Sequence, residues 1–157
     1  MQGTGGRHFS PAGTVTWAQA VSIAARMHTI YHTGSDTLGH GTPWYQAYAD
    51  YALKQGILSA PLTAAQAARA VTRAEFAGLL SKALPTQALK PINRVETIPD
   101  VPPSAPEAEA VYLLYRAGVF AGRDQRGTFA PRATLSRAEC AVLIVRMLQP
   151  ERGFPLG

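Results

Sequence analysis

Val15-Thr16-Trp17-Ala18-Gln19, Val71-Thr72-Arg73-Ala74-Glu75 and Leu135-Ser136-Arg137-Ala138-Glu139 are one five-residue box written three times, 56 and then 64 residues apart. In each box Thr or Ser stands three residues before Gln or Glu at the head of an apolar run, the sequence form of a helix capping box. The hydroxyls of Thr16, Thr72 and Ser136 are expected to accept the N3 backbone amide, while Gln19, Glu75 and Glu139 accept the cap residue's own amide. Apolar residues follow at matched offsets: Ala18, Val21, Ile23, Ala24 and Met27; Ala74, Ala77, Leu79, Leu80 and Ala83; Ala138, Ala141, Leu143, Ile144 and Met147. That spacing predicts a helical stripe in each copy, facing a common core. A basic residue lies near the end of every copy, at Arg26, Lys82 and Arg146.

Arg73 and Arg137 fall in the first helical turn, where a cation opposes the macrodipole by roughly 0.3–1 kcal/mol. Their placement suggests an anion joining the arginine and the free amides of the helix start. The alternative is a surface arginine that packs its stem or bonds a neighbouring loop. Outside the boxes, Phe9-Ser10-Pro11 and Phe129-Ala130-Pro131 each begin eight residues before the box position of Trp17 and Arg137. The third copy extends upstream through the loop Gly122 to Phe129. Before it, Asp100-Val101 precedes a helix ending in Tyr115-Arg116-Ala117-Gly118-Val119.

These residues resemble the S-layer homology family, whose repeat runs from Asp-Val through a helix ending in Gly-Ile or Gly-Val, a Gly-x-Phe-x-Pro loop and a Thr-Arg-Ala-Glu helix. By that pattern residues 1–32 form the second half of a first repeat with a degenerate box. Residues 33–85 form a second repeat, in which Ala65-Gln66-Ala67 replaces Phe-x-Pro, and residues 92–150 a third; together they are expected to make one compact unit. The resemblance implies an all-α, pseudo-threefold bundle with long loops and grooves between repeats. It also implies non-covalent anchoring of a bacterial surface protein to the cell wall by binding an acidic, pyruvylated secondary cell-wall polysaccharide. A ketal carboxylate suits an arginine fork and helix-terminal amides.

Composition agrees with an acidic polymer as partner: 15 Lys and Arg stand against 10 Asp and Glu, a formal charge of +5. The basic residues are scattered, without a basic run or aromatic-interleaved stripe, which argues against nucleic acid. Cys140, the only cysteine, aligns with Phe76 and Ala20 and reads as buried and apolar. No run of residues predicts a membrane span, and Met1 to Gly6 does not read as a signal peptide. The expected location is secreted, at the cell surface or wall, with the signal peptide outside this segment.

Helices are predicted over 15–32, 43–56, 72–84, 105–117 and 135–148, with a short helical turn near 62–69. Gly56 and Gly118 mark helix ends. The proline-rich stretch from Pro85 to Pro106 is expected to pack on the surface, because Ile92, Val95, Ile98 and Val101 are too apolar to leave in water.

Ligand contacts are expected from Arg73 and Arg137 on a carboxylate and from Trp44 or Trp17 stacked on a sugar ring. Trp17 replaces the box arginine and cannot neutralise an anion. Asp100 either accepts sugar hydroxyls or caps a turn. Gly122 and Thr128 place loop amides and a hydroxyl near the third box, while Phe129 reads as a core plug. His28 and His32 stand four apart, but no third ligand accompanies them, so no metal site is assigned. No cofactor motif or catalytic constellation is present, and a non-enzyme is expected. A rival reading is a degenerate structural or protein-interaction module, able to self-associate through the incomplete first repeat.

Overall fold

The computed structural model describes residues 13–36, 38, 42–122 and 127–148. Among them are six α-helices: α1 (Trp17–Thr33), α2 (Gln46–Lys54), α3 (Ala64–Ala68), α4 (Arg73–Ala83), α5 (Ala108–Arg116) and α6 (Arg137–Leu148). More than half of the described chain is helical, and the described residues contain no strand. The first-copy Phe9-Ser10-Pro11 and residues 123–126 of the third-copy loop lie outside the described residues.

Each box opens a helix by the predicted chemistry. Thr16 Oγ1 accepts Gln19 N at 3.2 Å while Gln19 Oε1 accepts Thr16 N at 3.0 Å. The same reciprocal pair recurs at Thr72 and Glu75, 3.1 and 3.0 Å, and at Ser136 and Glu139, 3.1 and 3.3 Å. Two donors at each helix start are thereby satisfied.

The segments just before the three boxes bond one another in a closed cycle. Trp17 N donates to Arg69 O, Arg73 N to Ala133 O and Arg137 N to Gly13 O, at 2.8–2.9 Å. Isolated antiparallel bridges follow the same order: Thr16 with Ala70, Thr72 with Thr134, Thr14 with Ser136. The apolar starters Val15, Val71 and Leu135 sit in this ring at zero exposure, and the buried side chains of all three copies join one cluster. Around it, α2 packs on α1 and α5 on α4, with α1 also touching α3 and α4.

The stripe prediction holds for α1 and α4, where Ala18, Val21, Ala74 and Ala77 are buried. On α6 it fails in part: Leu143 and Met147 are buried, but Ala138 and Ala141 are exposed. Burial of those positions requires a helix across them, and among the described residues none packs there as α2 does on α1.

Between Pro85 and Pro106 the chain forms a 3-10 turn, Thr86–Ala88, and buries Leu89, Ile98 and Val101. The Tyr112 hydroxyl pins it, accepting Ile98 N at 3.1 Å and donating to Val101 O at 2.7 Å. Arg116 Nε donates to Val95 O at 2.9 Å. Ile92 departs from expectation: its amide bonds to Arg116 O, yet its side chain is 45 % exposed. Helices α2 and α5 begin later than the apolar pattern suggests. Trp44 and Tyr45 form a turn before α2, and Pro106 and Glu107 a turn before α5.

Candidate functional site

Arg73 begins α4 but its side chain belongs to the third copy. Nε donates to Phe129 O at 2.7 Å, Nη2 to Ala121 O at 3.3 Å and Nη1 meets Glu139 Oε2 at 3.2 Å. The guanidinium lies 4.8 Å from the Phe129 ring centroid and 5.2 Å from that of Phe120, within cation–π range. Only 5 % of the residue is exposed. The arginine therefore bonds a neighbouring loop, from inside the fold. Nor are the amides at this helix start free: Arg73 N goes to Ala133 O, Ala74 N to Pro131 O and Glu75 N to Thr72 Oγ1.

Arg137, the matching residue of α6, is as deeply buried, at 4 %. Its Nε and Nη1 find no acceptor among the described residues. Trp17, at the same position of α1, is half-buried; the Arg69 guanidinium sits 5.7 Å from its ring, and its Nε1 also finds no acceptor among the described residues.

Asp100 clamps the loop that Arg73 grips. Its Oδ1 accepts Phe129 N at 2.9 Å and its Oδ2 accepts Ala130 N at 2.8 Å, holding Ala130 at φ 61°. Of the two readings of Asp100, sugar contact or turn cap, the structure shows a cap, on a turn some thirty residues away in the chain. Phe129 is fully buried, as expected of a plug. Gly122 is obligatory by space, since a Cβ there would lie 2.6 Å from Gly127 Cα and 2.7 Å from Tyr115 Oη. The Tyr115 hydroxyl donates to Gly127 O at 2.9 Å, closing the loop. Thr128 is half-buried on that loop.

Against α4 lies a cavity of about 700 Å³, lined by Trp17, Ser59, Glu75, Lys82, by Glu107 of the turn before α5 and by Glu109 of α5. Against α6 lies a cavity of about 240 Å³ at corresponding positions, lined by Arg73, Ala121, Gly122, Glu139 and Arg146. Trp44, 38 % exposed, lines a third of about 350 Å³ with Gln19 and Tyr45. Arg73, Gly122, Trp17 and Trp44 thus reach cavities; Arg137, Asp100 and Thr128 are not among their linings. Sequence reasoning missed Phe120, Lys82 and Glu107 as lining or supporting residues. The signal for Phe120 was its place after Gly118-Val119, matching Leu58 after Gly56-Ile57.

Electrostatics differ between the grooves. Burial alone would raise the Glu75 carboxyl, but bonds from Arg69, at 3.0 Å, and from Thr72 hold it below the ordinary range. Burial lowers the Arg146 guanidinium from its usual value, and its Nη1 donates to Val119 O at 3.1 Å.

The Asp100 clamp, the α5 helix, the Phe129 loop and the third box all fall within residues 97–141, which match the family model for the S-layer homology domain. Over those residues the chain is similar to an S-layer homology domain. The first and second boxes lie outside the matched residues. S-layer homology domains are non-catalytic modules that attach proteins to the cell wall and mark cell-surface proteins. No curated protein matches the chain. No helix among the described residues is long and apolar enough to cross a membrane.

Proposed function

We propose that this chain anchors a secreted bacterial surface protein to the wall by binding a secondary cell-wall polysaccharide in the grooves between its repeats. The observation that carries this reading is the recurrence of a cavity at the same register of α4 and α6, each floored by the box glutamate and edged by the basic residue near the helix end. We read residues 1–32, 33–85 and 92–150 as a half repeat and two repeats arranged with pseudo-threefold order. The cyclic hydrogen bonds before the boxes support that arrangement.

The two grooves suit different sugar units. The α6 groove carries Arg73 beneath it and Arg146 at its edge against Glu139, and fits an acidic, pyruvylated unit. The α4 groove has Trp17 in place of the arginine, with Glu75, Glu107 and Glu109 against Lys82, and fits an uncharged ring. Trp44 offers an exposed indole face for stacking. Asp100, Gly122 and Thr128 hold the loop beside the α6 groove, and Arg137 acts from within the core.

Calorimetric titration with purified cell wall, before and after removal of ketal-linked pyruvate, tests the reading. Binding should weaken at least tenfold on pyruvate removal and again in a Trp44→Ala, Lys82→Ala variant, both sites lying at the surface. Unchanged affinity after depyruvylation would remove the anionic unit from the proposal. Absence of binding to both preparations would sink anchoring and favour a structural or protein-interaction module, to which the exposed apolar face of α6 already lends an observation.

A further inference from the structure

The last two turns of α1 carry His28-Thr29-Ile30-Tyr31-His32. A spacing of four sets both imidazoles on one face of the helix, and their ring centroids stand 4.3 Å apart at an interplanar angle of 44°. Each ring has an aromatic neighbour that limits its rotation. Tyr51 of α2 meets His28 edge-on, centroids 5.4 Å apart, with its hydroxyl 2.7 Å from His28 Nδ1. Tyr31 meets His32 edge-on at 5.3 Å. His28 is half-buried and His32 exposed, so the pair opens to solvent, and it lines none of the three cavities described above.

We propose that His28 and His32 chelate a divalent late first-row transition ion, copper(II) foremost, with the Tyr51 hydroxyl fixing the His28 ring. Spacing alone assigned no metal for want of a third ligand, and among the described residues no third His, Cys, Asp or Glu joins the pair. What the fold adds is orientation. A hydrogen bond on one imidazole nitrogen decides which nitrogen is left for a metal; with Nδ1–H donating to Tyr51 Oη, His28 presents Nε2. Two imidazoles bonded to one ion at about 2.0–2.1 Å, near a right angle, hold their centroids roughly 4.5–5 Å apart. That is less than an ångström beyond the observed separation and within reach of side-chain torsion. The ion also lies near the C-terminal carbonyls of α1, where the macrodipole favours positive charge.

The donors narrow the choice of ion. Imidazole suits copper, nickel and zinc, whereas magnesium and calcium take oxygen ligands. A structural zinc site asks the protein for four ligands, and this cluster brings two. Copper(II) and nickel(II) accept nitrogen ligands in a tetragonal plane that water completes, and copper(II) leads the divalent series in affinity. A bound ion joins two turns of α1 and, through Tyr51, fixes α2 against it, so it stabilises the folded chain by mass action.

The test is a calorimetric titration of the untagged, chelator-treated chain with copper(II), nickel(II), zinc(II) and magnesium chlorides in a non-coordinating buffer, followed by thermal melting and amide spectra. One ion per chain is expected, with copper bound most tightly and magnesium not at all, and a melting temperature that climbs with free copper. Copper(II), being paramagnetic, should broaden the amides of Tyr31, His32, Thr33 and Tyr51 before others. His32→Gln should weaken copper binding at least tenfold while melting as the parent does without metal, because His32 is exposed. Tyr51→Phe keeps the ring and removes the hydroxyl, and should weaken binding about tenfold. Three results would overturn the proposal: no saturable uptake of copper, uptake undiminished in His32→Gln, or broadening centred on histidines elsewhere in the chain. Cell-wall binding plays no part in the readout, so this proposal and the anchoring reading fail separately.

Discussion

Replacing Arg73 by methionine isolates the guanidinium while keeping most of the side-chain volume. Two backbone acceptors lose their donor: Phe129 O, bonded at 2.7 Å in a buried setting, and Ala121 O at 3.3 Å. An unsatisfied buried acceptor costs about 1–3 kcal/mol. The two rings flanking the guanidinium at 4.8 and 5.2 Å add roughly 0.5–2 kcal/mol of cation–π attraction. The ion pair with Glu139, whose side chain is 38 % exposed, is discounted to a few tenths of about 1 kcal/mol by solvent screening. Against these stands the desolvation penalty of a buried cation, which methionine relieves. The net loss expected is about 3 kcal/mol, or a fall of roughly 6–12 °C in Tm for a chain of this size. Arg137→Met is the internal control: with Nε and Nη1 lacking acceptors among the described residues, it should lose less than half as much. Urea unfolding followed by circular dichroism measures both. A loss below about 1 kcal/mol for Arg73→Met, or a larger one for Arg137→Met, would refute the view that Arg73 is held by the loop of the third copy. A binding assay on alanine variants of these arginines therefore needs a stability measurement beside it.

Burial pushes the Cys140 thiol up to about 12, so the folded protein should resist thiol reagents at neutral pH and react stoichiometrically once unfolded; labelling with and without denaturant reads this. Burial first, and the neighbouring His32 second, hold the His28 imidazole below its usual 6.5. Its folded state binds fewer protons than the unfolded chain, so its stabilising contribution is full above pH 6.5 and lost as pH falls through the depressed value. The stability-against-pH slope in that window should flatten in His28→Gln. Gly122→Ala drives a Cβ into the Gly127 backbone at 2.6 Å and should lose about 1–3 kcal/mol in thermal melting. Asp100→Ala strips acceptors from the Phe129 and Ala130 amides and should lose roughly 2 kcal/mol, with Asp100→Asn recovering part of it.

The starts of α1, α4 and α6 were legible because capping is local: hydroxyl, carboxylate and amides stand within three residues, and no distant partner decides the outcome. The short α3 was legible for the same reason, Thr63 accepting Gln66 N at 3.1 Å. What sequence could not supply were contacts made across the repeats. Arg73 looked like a ligand-facing cation because its acceptor, Phe129 O, is 56 residues away. Ala138 and Ala141 carry the same pattern as Ala18 and Val21, and only the helix packed on α1 separates buried from exposed. Ile92 misled because apolar character predicts burial only where a neighbour exists to bury it. The α2 and α5 starts were placed early because Trp44 and Pro106 continue the apolar pattern into turns.

The degeneracy of the first box follows a physical logic of its own. Arg73 takes two carbonyls, Phe129 O and Ala121 O, and lies on an aromatic loop that Asp100 holds in place. At the corresponding place in the second copy Ala65 replaces the phenylalanine, so an arginine reaching for that loop would have no ring to lie on. Trp17 brings its own aromatic volume and needs no such loop. The price is an indole Nε1 without an acceptor among the described residues, a neutral donor and far cheaper to strand than a guanidinium. The exchange preserves packing around the ring while deleting a positive charge, and it leaves the α4 cavity with three glutamates and one lysine. The pairing of Trp17 with Ala65 is therefore self-consistent in structural terms. It changes what the groove can attract without loosening the fold that forms it.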